Sequence, residues 1–313
     1  MDISIVIPTY NRSPLLKKCL DSLVKQDYPA GDFEVIVCDD GSSDDTRGIS
    51  RSFAEKYGNI RYLYQPHKGV AAARNLGIRN SSAGLIAFVA DDYTLDPGYA
   101  SVAVNFFRSS PDAQVLRFKI VNESRDFLSR ADHFSYDIYI IGLLERSHAR
   151  GGRLIGKSFH LPASGAAVFR KEIFGRVGQF DEELEVGEDI EMGWRLKKSS
   201  IGIYYCDYFS VKRNYKLPLS GHLRKRFLYG ETMHMLKRKY PEHPINFPVS
   251  GRGSLVFAKN FLFYPVEKYL LMKKASCPLL FFPVHALLDS SYVLGVLLVG
   301  IWKKPSRKLP PVF

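Results

Sequence analysis

Short apolar segments alternate with amphipathic segments along the first part of the chain, and this alternation limits what the chain can fold into. The apolar segments are residues 3–7, 33–38, 60–64 and 85–90. Each is short and rich in β-branched or aromatic residues, which predicts a buried strand. The intervals have helical periodicity, beginning with the helix that Ser13 and Pro14 open. Together they predict an α/β fold, with a mostly parallel sheet covered by helices on both faces.

Acidic pairs follow two of these predicted strands. Asp39 and Asp40 end the second strand, and Asp91 and Asp92 end the fourth. In open parallel sheets, ligands bind outside the carboxyl ends of the strands. Both pairs are therefore expected at the rim of one sheet, where four carboxylates repel one another. A divalent cation or hydrogen-bond donors would relieve this repulsion.

The loop after the first strand argues against a nicotinamide-binding Rossmann enzyme. Such an enzyme requires the glycine pattern G-x-G-x-x-G directly after that strand. This chain instead has the sequence P-T-Y-N-R at residues 8–12. The sequence therefore excludes this class of enzyme.

Five motifs, in the same order, resemble those of the family 2 glycosyltransferases, which are inverting enzymes with the GT-A fold. They read SIVIPTYNR at 4–12, VCDDGS at 37–42, GVAAARNLG at 69–77, FVADD at 88–92 and GEDIEMGWRL at 187–196. The resemblance implies a Rossmann-like GT-A domain over residues 1–215. It does not cover residues 216–313, for which the sequence predicts a helical, apolar and basic region.

The resemblance also implies a binding site for a nucleotide-diphosphate sugar, most simply a UDP-sugar. The donor-binding residues that it implies are Pro8, Thr9, Tyr10, Asp40, Arg74 and Asp91. Asp40 is expected to accept an N–H from the uracil ring, with Thr9 and Tyr10 flanking the nucleoside. Arg74 is expected to meet the phosphates, which suits a bidentate cation.

Two further acids have roles by resemblance. Asp92 matches the residue that binds Mn²⁺ or Mg²⁺, although Ala90 stands where the usual acidic motif has its first aspartate. Asp189 matches the catalytic base that takes the proton of the acceptor hydroxyl. General-base catalysis of this kind typically raises the rate about 10²- to 10⁴-fold. Glu191 and Arg195, four residues apart on the same predicted helix, are expected to form a structural ion pair.

The implied activity is transfer of a hexosyl or N-acetylhexosaminyl group to a hydroxyl of a glycan. Two alternatives stay open. One is a nucleotidyl- or phosphoryl-transfer enzyme on a similar sheet. The other is a non-catalytic scaffold that retains the fold, which the alanine at position 90 favours.

The basic charge of the chain is concentrated in its last third. Residues 211–313 contain 18 Lys and Arg against 4 Asp and Glu, in a chain of net charge +12. A basic helix at 224–239 precedes two apolar stretches, 255–272 and 279–302, and the second is interrupted by Pro283 and Asp289. This pattern favours an element in the membrane plane over a single crossing. A buried helical hairpin is the alternative.

These features predict a location at the cytoplasmic face of the membrane. The segment after Met1 lacks a basic region and a long apolar run, so no signal peptide is expected. The predicted enzyme is peripheral or monotopic, and its acceptor is a lipid-linked or membrane-associated glycan. No nucleic-acid partner is expected, because the basic residues alternate with apolar runs rather than with an aromatic stacking platform.

Overall fold

A mixed sheet organises the described part of the chain, which comprises residues 1–133, 164–214, 216–242, 284, 287–292 and 294 of the computed structural model. Its strands are β1 Ile3–Thr9, β2 Phe33–Asp39, β3 Ile60–Tyr64, β4 Leu85–Phe88, β5 Tyr93–Thr94, β6 Val115–Asn122, β7 Ala167–Arg170 and β8 Ile203–Arg213. The helices are α1 Ser13–Leu23, α2 Thr46–Lys56, α3 Val70–Asn80, α4 Tyr99–Ser109, α5 Ile173–Val177, α6 Glu188–Lys198 and α7 Leu219–Lys239. The strands lie in the order β3-β2-β1-β4-β7-β6-β8-β5.

The first four strands form the parallel half of the sheet, as the sequence predicts. β1 lies between β2 and β4, and β2 also pairs with β3. In this register Thr9 is opposite Asp39, and Val6 is opposite Phe88. The carboxyl ends of β1, β2 and β4 therefore meet at one edge of the sheet. β7 runs antiparallel to both β4 and β6, which makes the sheet mixed.

Burial of whole strands explains why their sequences are apolar rather than alternating. Every residue of β1, β2 and β4 is buried, as expected for strands covered on both faces. Beside them, Phe88 makes edge-to-face contacts with Phe169, Phe174 and Phe180, at centroid distances of 5.6, 6.1 and 5.2 Å. This aromatic cluster packs the parallel half of the sheet against the chain segment around α5.

The beginnings of α1 and α2 are connected by one carboxylate. Asp44 accepts hydrogen bonds from the backbone N–H and the hydroxyl of Thr46, at 3.1 and 2.6 Å. Its other oxygen accepts the N–H of Ser13 at 2.8 Å. These bonds satisfy donors at both helix starts, and they hold the pKa of Asp44 below its usual value even though burial acts to raise it.

The described residues divide into two compact units. The first contains residues 1–123 and 164–214, and the second contains 124–133, 216–242 and the described positions from 284 onward. In the second unit Arg226 of α7 donates two hydrogen bonds to Asp132, at 2.6 and 3.1 Å. Burial acts to raise the pKa of Asp132, but the charge of Arg226 and the neighbouring His222 and Lys225 hold that pKa well below its usual value.

The basic helix predicted at 224–239 is present as part of α7. The predicted apolar stretch 255–272, and most of the stretch 279–302, lie outside the described residues. Among the helices that can be described, none combines the length and the hydropathy needed to cross a bilayer.

Close packing of α3 on β1 gives a test of this architecture. A Cβ on Gly77 would lie 2.2 Å from Cγ1 of Val6, and a β-branched valine has little freedom to turn away. We expect Gly77→Ala to lower the free energy of unfolding by about 1–3 kcal/mol, measured by urea denaturation. Gly175→Ala is the control, because a Cβ there meets nothing within 4 Å. Equal stability of the two variants would contradict this packing.

Candidate active site

Thr9 connects the two acidic pairs at the edge of the sheet. Its hydroxyl donates to Oδ2 of Asp91 at 2.8 Å, and its carbonyl accepts the backbone N–H of Asp40 at 2.9 Å. The side chains of Asp40, Asp91 and Asp92 are all nearly inaccessible. The structure thus brings together Thr9, Asp40 and Asp91, three of the residues that the sequence predicts for donor binding.

Two arginines compensate the charges of Asp91 and Asp92. Nη1 of Arg12 donates to Oδ1 of Asp91 at 2.6 Å, and Nη2 of Arg12 lies 3.7 Å from Oδ2 of Asp92. Nε of Arg213 donates to the same oxygen of Asp92 at 3.0 Å. Burial raises the pKa of Asp91 to about 6; Arg12 opposes this shift and the charge of Asp92 adds to it.

The carboxylate of Asp40 organises the loop that leads into α3. Its Oδ1 accepts hydrogen bonds from the side-chain amide of Gln65 at 2.6 Å and the backbone N–H of Lys68 at 3.0 Å. Its Oδ2 accepts the N–H of Gly69 at 2.8 Å and lies 2.7 Å from Nδ1 of His67. A nucleobase N–H that met this carboxylate would therefore share or replace one of these contacts.

Asp39, the other member of the first pair, has a structural environment. It is fully buried, and it accepts hydrogen bonds from the Tyr62 hydroxyl at 2.7 Å and the Ser42 N–H at 2.8 Å. Gly41 follows at φ +86°, where a Cβ would come within 2.7 Å of the backbone nitrogen of His67. A glycine at this position is what allows the two loops to approach each other.

Tyr10 follows Thr9 and stacks on His67, with ring centroids 4.2 Å apart and an angle of 28° between the rings. The His67 side chain is 40% exposed. The sequence predicts Tyr10 at a nucleoside site, whereas it assigns no role to His67. The only sequence signal for His67 is its position two residues before the glycine that starts α3. Pro8 lies in β1, directly before Thr9.

Asp189 lies in the first turn of α6, which begins after Gly187 in a left-handed conformation at φ +79°. Oδ1 of Asp189 accepts the N–H of Ile190 at 2.8 Å. The side chain is partly accessible, yet enough protein surrounds it for desolvation to raise its pKa to about 6. The neighbouring charge of Glu188 adds to this shift, and Arg74 and Arg117 oppose it.

Arg74 connects α3 to α6, the helix that bears Asp189. It lies on α3, is 93% buried and forms an ion pair with Glu188, next to Asp189. Its guanidinium carbon is 5.3 Å from the centroid of the Phe180 ring. Because α3 begins where the N–H of Gly69 donates to Asp40, this one helix contacts both Asp40 and Glu188. The predicted contact of Arg74 with phosphate stays a prediction.

The segment before α6 is fastened to two helices. Glu191 and Arg195 form the predicted ion pair, with Nη2 of Arg195 2.7 Å from the carboxylate. Arg195 also donates to the carbonyl of Gln179 at 2.8 Å. From α3, the Asn75 side chain exchanges two hydrogen bonds of 2.9 Å with the backbone of Phe180. These contacts hold the chain that leads to Asp189.

The carboxylates fit a hard divalent cation whose shell is completed by a substrate. In the described ranges, no three His, Cys, Asp or Glu side chains are grouped so as to hold a metal by themselves. Magnesium-type sites commonly use one or two carboxylates together with substrate phosphates, and Asp91 and Asp92 can supply those carboxylates. The repulsion expected from the sequence is relieved by protein donors, since Thr9, Arg12 and Arg213 all bind this pair.

The mixed sheet, with acids at the ends of its parallel strands, has the architecture of GT-A nucleotide-binding domains. A mannosyltransferase from Pyrobaculum calidifontis, solved with GDP-Man and Mn²⁺, matches with a TM-score of 0.63 and 17% identity, over 97% of this chain and 88% of the other. TarS of S. aureus, solved with UDP-GlcNAc, matches with a TM-score of 0.56 and 16% identity, over 95% and 91%.

The chain belongs to glycosyl transferase family 2, whose model matches residues 4–178. The uncharacterized glycosyltransferase EpsJ of Bacillus subtilis is 37% identical over 72% of this chain and 67% of its own length. Validoxylamine A glucosyltransferase of Streptomyces hygroscopicus subsp. jinggangensis is 32% identical over 64% of this chain and 52% of its own length. The chain thus spans about half the length of several curated relatives that it matches.

The hydrogen bonds to Asp40 predict a large effect of removing its charge. In Asp40→Asn one carboxylate oxygen becomes an NH₂ group, which cannot accept from the donors around it. We expect the free energy of unfolding to fall by about 1–3 kcal/mol, the cost of a buried donor left unsatisfied, in urea denaturation. Asp21→Asn is the control, since Asp21 forms an exposed ion pair with Lys17 and such pairs contribute little. A loss no larger than the control's would contradict the organising role of Asp40.

Proposed function

We propose that this chain is an inverting glycosyltransferase that moves a sugar from a nucleotide-diphosphate donor to a hydroxyl of a membrane-associated glycan. The observation that carries the proposal is the position of Asp189. Asp189 follows Glu188, whose ion pair with Arg74 connects α6 to α3, the helix that begins at the Asp40 loop. The charges of Glu188 and Arg74 both act on the Asp189 carboxyl group. Its pKa, raised to about 6, suits a general base that works near neutral pH.

Asp189 has one chemical task in this proposal. Its carboxylate takes the proton of the acceptor hydroxyl while that oxygen forms a bond to the anomeric carbon of the sugar. The bond from the anomeric carbon to the donor phosphate breaks on the opposite side, and the nucleoside diphosphate leaves with the electron pair. Attack opposite the leaving group inverts the configuration at the anomeric carbon.

The other rim residues bind the donor. Asp92, with Asp91 beside it, would hold Mn²⁺ or Mg²⁺, which supplies positive charge to the leaving diphosphate. The loop that Asp40 organises, together with Tyr10, would hold the nucleoside. The relatives' structures contain UDP-GlcNAc and GDP-Man, which supports a nucleotide sugar; for this chain we propose a UDP-sugar with a hexosyl or N-acetylhexosaminyl group.

A phosphoryl-transfer enzyme is the second candidate, and one observation favours it. Residues 151–158 read G-G-R-L-I-G-K-S, which fits the phosphate-loop pattern G-x-x-x-x-G-K-[ST]. The segment lies outside the described residues. The family 2 model spans it, and glycosyl transfer therefore remains the better-supported activity. Release of nucleoside diphosphate only together with sugar transfer would distinguish the two activities.

Replacement of the proposed base tests the activity directly. We expect Asp189→Asn to lower the rate of sugar transfer by about 10²- to 10⁴-fold, because an amide cannot accept the proton. Donor affinity, measured by calorimetry, should stay within about twofold if binding and proton transfer use separate groups. Glu183→Gln, an exposed carboxylate on the segment before α6, should transfer sugar at the normal rate. Near-normal transfer by Asp189→Asn would remove Asp189 from this role.

The pH dependence of the transfer rate and of the stability, each measured for the wild-type chain and for Asp189→Asn, separates the catalytic role of Asp189 from its effect on folding. A base with a pKa of about 6 is protonated in acid, so the transfer rate should fall about tenfold per pH unit below that value. The pKa of Asp189 is raised in the folded state, so protonation of Asp189 stabilises the fold. This stabilisation is complete below the unfolded-state pKa of about 4, and it is lost as the pH rises from there through about 6. In Asp189→Asn the part of this fall that comes from Asp189 should be missing, whereas the part that comes from Asp91, whose pKa is also about 6, should remain.

The proposed membrane docking rests on the charge of the C-terminal region. Arg238 and Lys239, at the end of α7, are exposed, and residues 211–313 are strongly basic. Basic residues near an anionic surface contribute about 1 kcal/mol each. We therefore propose a peripheral or monotopic enzyme on the cytoplasmic leaflet, acting on a lipid-linked or membrane-associated glycan.

Vesicle sedimentation at low salt tests this docking. The protein should bind phosphatidylserine-containing vesicles and not vesicles of phosphatidylcholine alone. Arg238→Gln with Lys239→Gln should weaken binding by about tenfold or more, given about 1 kcal/mol per charge. Lys17→Gln with Lys18→Gln removes the same charge from the exposed face of α1 and should bind normally. Equal binding to both kinds of vesicle would exclude an electrostatic docking surface.

A further inference from the structure

Arg213 is placed beside Asp92 by strand pairing on both sides. It ends β8, where it is opposite Asn122 of β6 and opposite Tyr93 of β5. Its carbonyl accepts the N–H of Glu123 at 2.9 Å, and the next residue, Asn214, donates to the carbonyl of Asp92 at 3.2 Å. The backbone of Arg213 is therefore fixed at the point where the chain passes Asp92.

The side chain of Arg213 uses this position to contact the acid that the proposed function assigns to the metal. Its Nε donates to Oδ2 of Asp92 at 3.0 Å, and the two side chains are 24% and 4% exposed. Arg12 contacts Asp91 more closely than Asp92, since its guanidinium nitrogens lie 2.6 Å from the Asp91 carboxylate and 3.7 Å from that of Asp92. Among the described contacts, two guanidinium groups thus face two carboxylates, and the positive and negative charges of these four side chains are equal in number.

We propose that Arg213 is a resident counter-ion of Asp92 that weakens the binding of a free divalent cation to this carboxylate. A guanidinium and a metal ion both require negative charge at Oδ2 of Asp92, so occupancy by one disfavours the other. A nucleoside diphosphate supplies phosphate oxygens that can bind both the metal and the guanidinium. Arg213 therefore makes cation binding depend on the arrival of the donor. This inference rests on the proposed role of Asp92.

The neighbouring residue offers a matched control. Lys212 lies on the same strand and carries the same charge, but its Nζ binds Asp96 at 2.6 Å. Removal of either charge changes the net charge of the protein equally. Only removal of the Arg213 charge takes a donor away from Asp92.

Mn²⁺ binding without nucleotide, followed by electron paramagnetic resonance of the free ion, tests the proposal. We expect Arg213→Gln and Arg213→Met to bind Mn²⁺ about tenfold more tightly than the wild-type chain, because a competing ion pair is removed. Arg213→Lys and Lys212→Gln should stay within about twofold of wild type. The Met variant retains an apolar stem for packing, and thermal unfolding checks that each variant is folded. Unchanged or weaker binding in the folded Gln or Met variant would overturn the proposal.

Asp92→Asn, alone and combined with Arg213→Gln, separates this inference from the metal assignment. If Asp92 binds the metal, the gain of Arg213→Gln should disappear in the double variant. Loss of wild-type binding in Asp92→Asn, without any gain in Arg213→Gln, would overturn the counter-ion role and keep the metal assignment. A gain that persists in the double variant would overturn both.

Discussion

Buried carboxylates at the edge of the parallel strands are the constraint on which this site depends. A charged group removed from water requires partners, and here the protein itself supplies them. Asp40 takes its donors from the loop before α3, whereas Asp91 and Asp92 take theirs from Thr9, Arg12 and Arg213. The loops around the sheet are therefore held in place by the same acids that are expected to serve the donor.

In this arrangement α3 contacts both the loop of Asp40, at the proposed donor site, and α6, which bears the proposed catalytic base. Its first turn is held by Asp40 through Gly69, its middle bears Arg74 against Glu188, and Gly77 packs directly on Val6. Because the interior is close-packed, a shift of α3 would alter all three of these contacts. The raised pKa of Asp189 arises beside this helix, from burial and from the charge of Glu188.

Prediction from the sequence succeeded where one physical pattern dominates. Continuous apolar runs identified β1, β2 and β4, because strands buried on both faces leave no room for polar alternation. The third predicted strand, β3, lies at the edge of the sheet, and only its Ile60 is buried. The five motifs identified the family, and the spacing of Glu191 and Arg195 identified their ion pair. The antiparallel insertion of β7 was not predicted, since pairing between distant segments leaves no local periodicity.

The amino-acid sequence by itself determined the parallel half of the sheet, the acidic pairs at its edge and the family, because each depends on local order along the chain. Only the tertiary structure decided how those acids are neutralised. Arg213 is 121 residues from Asp92, and Glu188 is 114 residues from Arg74. Such contacts arise from strand register and helix packing. The position of an arginine in the sequence does not indicate which distant carboxylate it will pair with.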